Sequence, residues 1–319
     1  MAGTFPIAAL AAMPQRGFVA IAVTPLAANG TIDYAGIGPL MDFYINCGAA
    51  GVTLLGVMGE AHRMTDADAR TVVDAAAEAI AGRIPILIGV SDSSLQRVAS
   101  LAEHGMSRGC VGVMVQALTG LQGDANIAAY FAHVADTLGP DVPICVQDFP
   151  KASGVHISVG VWKAIIESCP TVAMLKHEDE PGLGKLSAIR EAEHAGLRRV
   201  PILTGNNGIH LVQELDRGAD GAMTGFAFPD TLTKVIELHS SGRREAAEDL
   251  FDHYLPVNRH ELRTGIAVRK EILRRRGAIA TARARFPVKP LGATDHAELD
   301  GLLRRLERST GRPITEMAP

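Results

Sequence analysis

The stretch Val172-Ala173-Met174-Leu175-Lys176-His177-Glu178-Asp179 runs four apolar residues into a lysine and three polar side chains, before Pro181-Gly182 breaks it. A lysine so placed ends a buried strand with its stem among apolar neighbours. Desolvation disfavours an ammonium in such a place, and a neutral amine can attack a carbonyl and form a Schiff base. Taken alone, the pattern is more often a lysine that leaves the core and snorkels to water; the rest of the chain reverses that weighting. Leu55-Gly56-Val57-Met58-Gly59-Glu60-Ala61-His62-Arg63 pairs two glycines in a tight turn whose backbone N–H groups can face an anion such as a carboxylate. Gln147-Asp148-Phe149-Pro150, Thr204-Gly205-Asn206-Asn207-Gly208 and Thr224-Gly225 also follow apolar runs. Proton transfer beside Lys176 needs a group that exchanges protons, and the candidates are Asp148, His177, Glu178, Glu60 and His62. Side chains alternate along a strand, so an inward Lys176 puts Glu178 on its own side and His177 on the other.

These residues are positioned by a regular alternation. Short apolar runs at Gly17–Thr24, Gly51–Leu55, Ile84–Gly89, Gly112–Val115, Val142–Val146, Val172–Leu175, Val200–Leu203 and Gly221–Met223 suit strands buried on both faces. Helical patterns fill the gaps: Ile32–Cys47, Thr65–Ala81, Ser93–Gly105, Asn126–Leu138, Ser158–Ser168, Gly184–His194, Ile209–Arg217 and Pro229–Ser240. Thr65 and Asp68 have the spacing of a capping box, with Asp in place of Glu. Eight such units without a composition break predict an α/β fold, a (β/α)8 TIM barrel, over 17–240. A doubly wound open sheet fits less well, because no GxGxxG follows the first strand. Residues 1–16 read as an N-terminal extension. The stretches Arg244–Leu255, Glu261–Arg276 and Thr294–Ser309 make 241–319 a C-terminal helical appendage.

Composition narrows the function. The 319 residues are 47% hydrophobic and 21% charged, with a formal net charge of −4, so no nucleic-acid footprint is expected. Cys47, Cys110, Cys145 and Cys169 form no CxxC pair and sit in apolar segments, so they read as buried thiols and no metal site is expected. The apolar segment Met1–Met13 lacks a basic start and a cleavage pattern, and no run of about 18 apolar residues exists. A soluble, cytoplasmic protein without a membrane partner is expected.

Three motifs carry a resemblance. Gly56-Val57-Met58-Gly59-Glu60, Leu175-Lys176 and Gly218-Ala219-Asp220-Gly221-Ala222-Met223-Thr224, in this order, resemble the dihydrodipicolinate synthase / N-acetylneuraminate lyase family of Schiff-base-forming barrels. The likeness runs from Gly17 to the C-terminal helices. It implies that Lys176 forms an imine with a small 2-oxo acid such as pyruvate. It further implies that the Val57, Met58 and Gly59 turn holds the carboxylate, that Gly205 and Met223 complete the substrate site, and that no cofactor is needed. Such proteins are commonly homo-oligomers, tetramers or dimers. The departures are specific. Val57 and Met58 stand where the family usually has two threonines, one of which relays a proton. Gln147 stands where it has a tyrosine, and Ala152, between Lys151 and Ser153, where the synthases have an arginine. Gln116-Ala117-Leu118-Thr119 holds no tyrosine after the fourth strand, and Tyr34, Tyr44, Tyr130 and Tyr254, the only tyrosines, follow no strand end. A glutamine amide cannot exchange protons as a phenol does.

The expected function is therefore a Schiff-base lyase of aldolase or dehydratase type. Lys176 is the nucleophile, and Gln147 orients the substrate. True 4-hydroxy-tetrahydrodipicolinate synthase activity is not expected with these substitutions. The alternatives are that activity despite them, a non-catalytic 2-oxo-acid-binding or regulatory barrel, and a barrel binding phosphate at Gly205-Asn206-Asn207-Gly208.

Overall fold

The computed structural model describes residues 12–316, so most of the expected N-terminal extension, residues 1–11, lies outside the described residues. Eight parallel strands close into a barrel in the order of the chain. They are β1 (Gly17–Ile21), β2 (Gly51–Leu54), β3 (Ile86–Gly89), β4 (Gly112–Gln116), β5 (Ile144–Asp148), β6 (Val172–His177), β7 (Ile202–Thr204) and β8 (Gly221–Thr224). Each is followed by one major helix: α1 (Ile37–Asn46), α2 (Asp66–Ile80), α3 (Leu95–Ser107), α4 (Asp124–Leu138), α5 (Val159–Ser168), α6 (Leu183–His194), α7 (Leu211–Asp216) and α8 (Pro229–Ser240). The (β/α)8 TIM barrel is thus the fold. Thr65 caps α2 by accepting from the Asp68 N–H at 3.1 Å, half of the expected capping box.

Alternation along the strands sorts the apolar residues into two layers. One lies between strands and helices and includes Trp162, Phe18 and Phe131; the other fills the barrel with Val19, Ile21, Leu87, Met114, Cys145, Met174, Leu203 and Met223. Met13 joins this inner layer at the strands' amino ends, where a Cβ on Gly112 would sit 2.7 Å from its sulfur. The floor is closed and apolar, which leaves the carboxyl ends of the strands as the place for a site.

Three more helices follow: α9 (Arg244–Thr264), α10 (Ile266–Arg275) and α11 (Ala293–Thr310). The break expected between Leu255 and Glu261 does not occur. Pro256 lies inside α9, and the helix ends only where Gly265 takes φ 78°. Continuing α9 by these turns carries Glu261 to the barrel mouth, and the Gly265 corner turns α10 back to bring Arg269 and Lys270 beside it. Among the described residues no helix is long and apolar enough to cross a membrane.

Candidate active site

Lys176 leaves the sixth strand into the barrel mouth. The pairing of β5 with β6 sets Gln147 beside Lys176 and Asp148 beside His177. The first pair points inward and the second outward. Lys176 is 4% exposed and its Nζ lies 2.9 Å from Glu178 Oε2. The Gln147 amide donates to the same oxygen at 2.7 Å. The Asn206 backbone N–H approaches Glu178 Oε1 at 3.4 Å. This carboxylate crosses directly over Gly205: a Cβ there would lie 2.1 Å from Glu178 Cγ, so only glycine lets it reach the lysine. Lys176, Glu178 and Gln147 line a cavity of about 190 Å³ with Met58, Asn207, Thr224 and Arg269.

The turn after β2 closes one side of this cavity. Gly59 N–H and Glu60 N–H are used within the turn, donating to Gly56 O at 2.9 Å and Val57 O at 3.1 Å. The Val57 and Met58 N–H groups donate to no acceptor among the described residues, and both residues line the cavity. Two free N–H groups on successive residues form an anion-binding concavity. Gly59 serves differently, its carbonyl accepting from Thr24 Oγ1 at 2.7 Å. Among the described non-glycine residues, five have positive φ, and four of them (Leu55, Glu60, Asn206 and Asn207) lie in the loops after β2 and β7. Backbone strain of this kind gathers at functional sites.

Several expected residues face elsewhere. Asp148 lies on the outer side of the barrel, with Oδ2 2.5 Å from Lys185 Nζ. His177 is beside it and its Nε2 meets Gly182 O at 3.0 Å. Neither lines the lysine cavity, because both sit at the opposite phase of their strands. Glu60 is buried behind the turn, with Oε1 2.7 Å from Lys270 Nζ and Oε2 accepting the Arg285 N–H at 2.6 Å. Its geometry holds the turn and leaves no face toward Lys176. Met223 is packed in the barrel interior and does not line the cavity. His62 is exposed and lines a second, larger cleft of about 990 Å³, which runs over the ends of β2 to β5 and shares Val57 and Gln147 with the lysine cavity. Burial lowers the His62 imidazole from its ordinary value, aided by Arg63. Ala152 also lines this cleft.

The neighbours of Lys176 leave few competing nucleophiles. Burial pushes the Cys145 thiol up to about 12, despite the nearby Lys176. All four cysteines are free and buried, as their apolar surroundings indicated. Among the described residues no group of His, Cys, Asp or Glu could hold a metal ion. Asp220, from the glycine-rich motif entering β8, is structural, accepting from Arg190 Nη2 at 2.6 Å and from Ile202 N–H at 2.9 Å.

The C-terminal helices add what the sequence did not reveal. Glu261 on α9 accepts from Arg269 Nε at 2.6 Å, Asn207 Nδ2 at 3.0 Å and Ala227 N–H at 3.1 Å. Complete burial raises its carboxyl above the ordinary value, against the pull of Arg269. Lys270 donates to Thr24 O at 2.8 Å and Arg283 O at 2.9 Å as well as to Glu60. Burial lowers its ammonium, opposed by Glu60.

Comparison with known proteins places the chain in a family. The sequence profile of the dihydrodipicolinate synthetase family matches residues 14–306. The chain is 31% identical over 301 residues to L-2-keto-3-deoxyarabonate dehydratase of Azospirillum brasilense, covering 92% of this chain and 95% of that one. It is 24% identical over 306 residues to the putative 2-dehydro-3-deoxy-D-gluconate aldolase YagE of Escherichia coli, covering 92% and 99%. The crystal structure of dihydrodipicolinate synthase from Rhodopseudomonas palustris superposes with a TM-score of 0.89 at 39% identity, covering 92% of this chain and 98% of that one.

Proposed function

The chain belongs to the dihydrodipicolinate synthetase family and is one of its lyases, and we propose that it dehydrates a 2-oxo-3-deoxy sugar acid through an imine on Lys176. The observation that carries this reading is the contact of Glu178 Oε2 with Lys176 Nζ at 2.9 Å, with the Gln147 amide fixing the same oxygen. The carboxylate of the substrate sits on the Val57 and Met58 N–H groups. Glu178 accepts the proton of the lysine, and the amine attacks the C2 carbonyl. Glu178 returns that proton as the carbonyl oxygen leaves as water and a C=N bond forms. An oxygen that touches the imine nitrogen is one carbon from C3, so Glu178 next takes a C3 proton and the electrons form the C2=C3 enamine. The enamine expels the C4 hydroxyl, which leaves as water with the proton Glu178 returns. Water then hydrolyses the conjugated imine and restores Lys176. The net change is loss of one water.

Gln147 in this scheme acts through Glu178 and is a positioning residue. The carboxylate supplies the acid–base function for which the chain has no strand-end tyrosine. Ala152 offers no charge to a second carboxylate, which argues against condensation with an anionic aldehyde. The similarity to a named dehydratase supports water loss over carbon–carbon cleavage. Its namesake substrate, L-2-keto-3-deoxyarabonate, is the test compound. Loss of the C4 hydroxyl and tautomerisation give 2,5-dioxopentanoate, whereas aldol cleavage gives pyruvate and a two-carbon aldehyde. The expected product is the dioxo acid; pyruvate as the main product would replace the dehydratase reading with an aldolase.

A further inference from the structure

The cavity around Lys176 holds a second cation that the scheme above leaves unused. Arg269 on α10 is 3% exposed and lines the cavity. Its Nε donates to Glu261 Oε1 and its Nη2 to Asn207 Oδ1, both at 2.6 Å. Its Nη1 donates to no acceptor among the described residues. It lies over Gly225, where a Cβ would stand 2.3 Å from it, so the glycine at the end of β8 leaves the space the guanidinium occupies. A guanidinium has five donors fixed in a plane, and those on Nη1 remain for a ligand.

The charges around the cavity decide what that ligand is. Lys176 has Glu178 at 2.9 Å, Arg269 has Glu261 at 2.6 Å, and Lys151 has Glu180 at 2.7 Å. Each lining cation is matched. An anion bound at Arg269 would compete with Glu261 and leave a buried carboxylate short of its partner, which is costly. A hydroxyl oxygen can accept from Nη1 without disturbing that pair. We propose that Arg269 is a specificity-determining residue that hydrogen-bonds the hydroxyls of the substrate's tail, so that the site selects 2-oxo acids with one carboxylate and a neutral polyol tail. This deepens, and rests on, the placement of a sugar acid at Lys176.

Calorimetry with carbonyl-reduced acids separates the two claims, because such acids form no imine. The probes are lactate, 3-deoxypentonate and 2-hydroxyglutarate, which share one carboxylate and differ in having no tail, a polyol tail or a second anion. The wild-type protein is expected to bind 3-deoxypentonate about 10- to 100-fold more tightly than lactate, the range of a hydrogen bond to a charged group. It gains no such factor from 2-hydroxyglutarate. Gly225→Ala, which displaces Nη1, and the paired change Glu261→Gln with Arg269→Met, which leaves no lone buried charge, should each erase most of that difference. Equal weakening of lactate and 3-deoxypentonate in both variants, no preference in the wild type, or 2-hydroxyglutarate binding as well as 3-deoxypentonate would overturn the proposal.

Discussion

Replacing Glu178 by glutamine separates imine formation from proton transfer. Glu178 Oε2 accepts from Lys176 Nζ at 2.9 Å and from Gln147 Nε2 at 2.7 Å, and an amide oxygen can accept both. The amide cannot take or return a proton. The variant should therefore still bind pyruvate and form the imine, more slowly, while every step that moves a carbon-bound proton fails. General acid–base catalysis contributes about 10²- to 10⁴-fold, equivalent to about 3 to 5 kcal/mol on the barrier. Two assays read it: water loss from L-2-keto-3-deoxyarabonate, and exchange of the pyruvate methyl hydrogens with solvent deuterium by NMR. Both should fall by at least about 100-fold, the lower limit for general acid–base catalysis. Turnover or exchange within about tenfold of wild type would refute the assignment of Glu178 as acid and base, since it would leave less than that limit to the carboxylate.

Three other outcomes are expected. Burial raises the Glu214 carboxyl from 4.5 to about 7. The unfolded chain ionises near the lower value, so stability is lost as pH rises from there through about 7. Glu214→Gln should then be more stable than wild type at pH 8 by on the order of 3 kcal/mol and about equal to it at pH 4, as read by urea unfolding. Lys270→Met leaves Glu60 without its ammonium behind the Val57–Met58 turn; it should cost about 3 to 5 kcal/mol of stability and raise the pyruvate concentration needed for half-maximal trapping. A homo-oligomer, a tetramer or dimer, remains the expectation, since isologous contacts are the usual way to bury a large helical surface, and light scattering at micromolar concentration should give a mass above that of one chain.

Much of this architecture is legible in the sequence, for a physical reason. A parallel strand buried on both faces is a short apolar run, and the runs at Ile84–Gly89 and Val172–Leu175 fall on β3 and β6. The ends are less legible, because a strand continues past its first polar residue: β4 runs to Gln116, β5 to Asp148 and β6 to His177. Those extensions hold Gln147 and Lys176. Strand alternation from Lys176 predicts the inward Glu178 and outward His177, and the contacts follow that pattern. The roles of Glu261, Arg269 and Lys270 were not legible. Charged residues on amphipathic helices ordinarily face water, and their partners Asn207 and Glu60 lie 54 to 210 positions away, where no spacing rule reaches. The helix also runs past Leu255, where its sequence pattern stops, with Pro256 inside it.

In the proposed reaction Lys176 is the residue that becomes the imine. Incubation with saturating pyruvate and borohydride, followed by intact mass and peptide mapping, tests it most directly. One reduced pyruvyl group on the Lys176 peptide is the expected result, absent when pyruvate is omitted. An unmodified Lys176 peptide, or an adduct on Lys151, Lys185 or Lys270 instead, would contradict it.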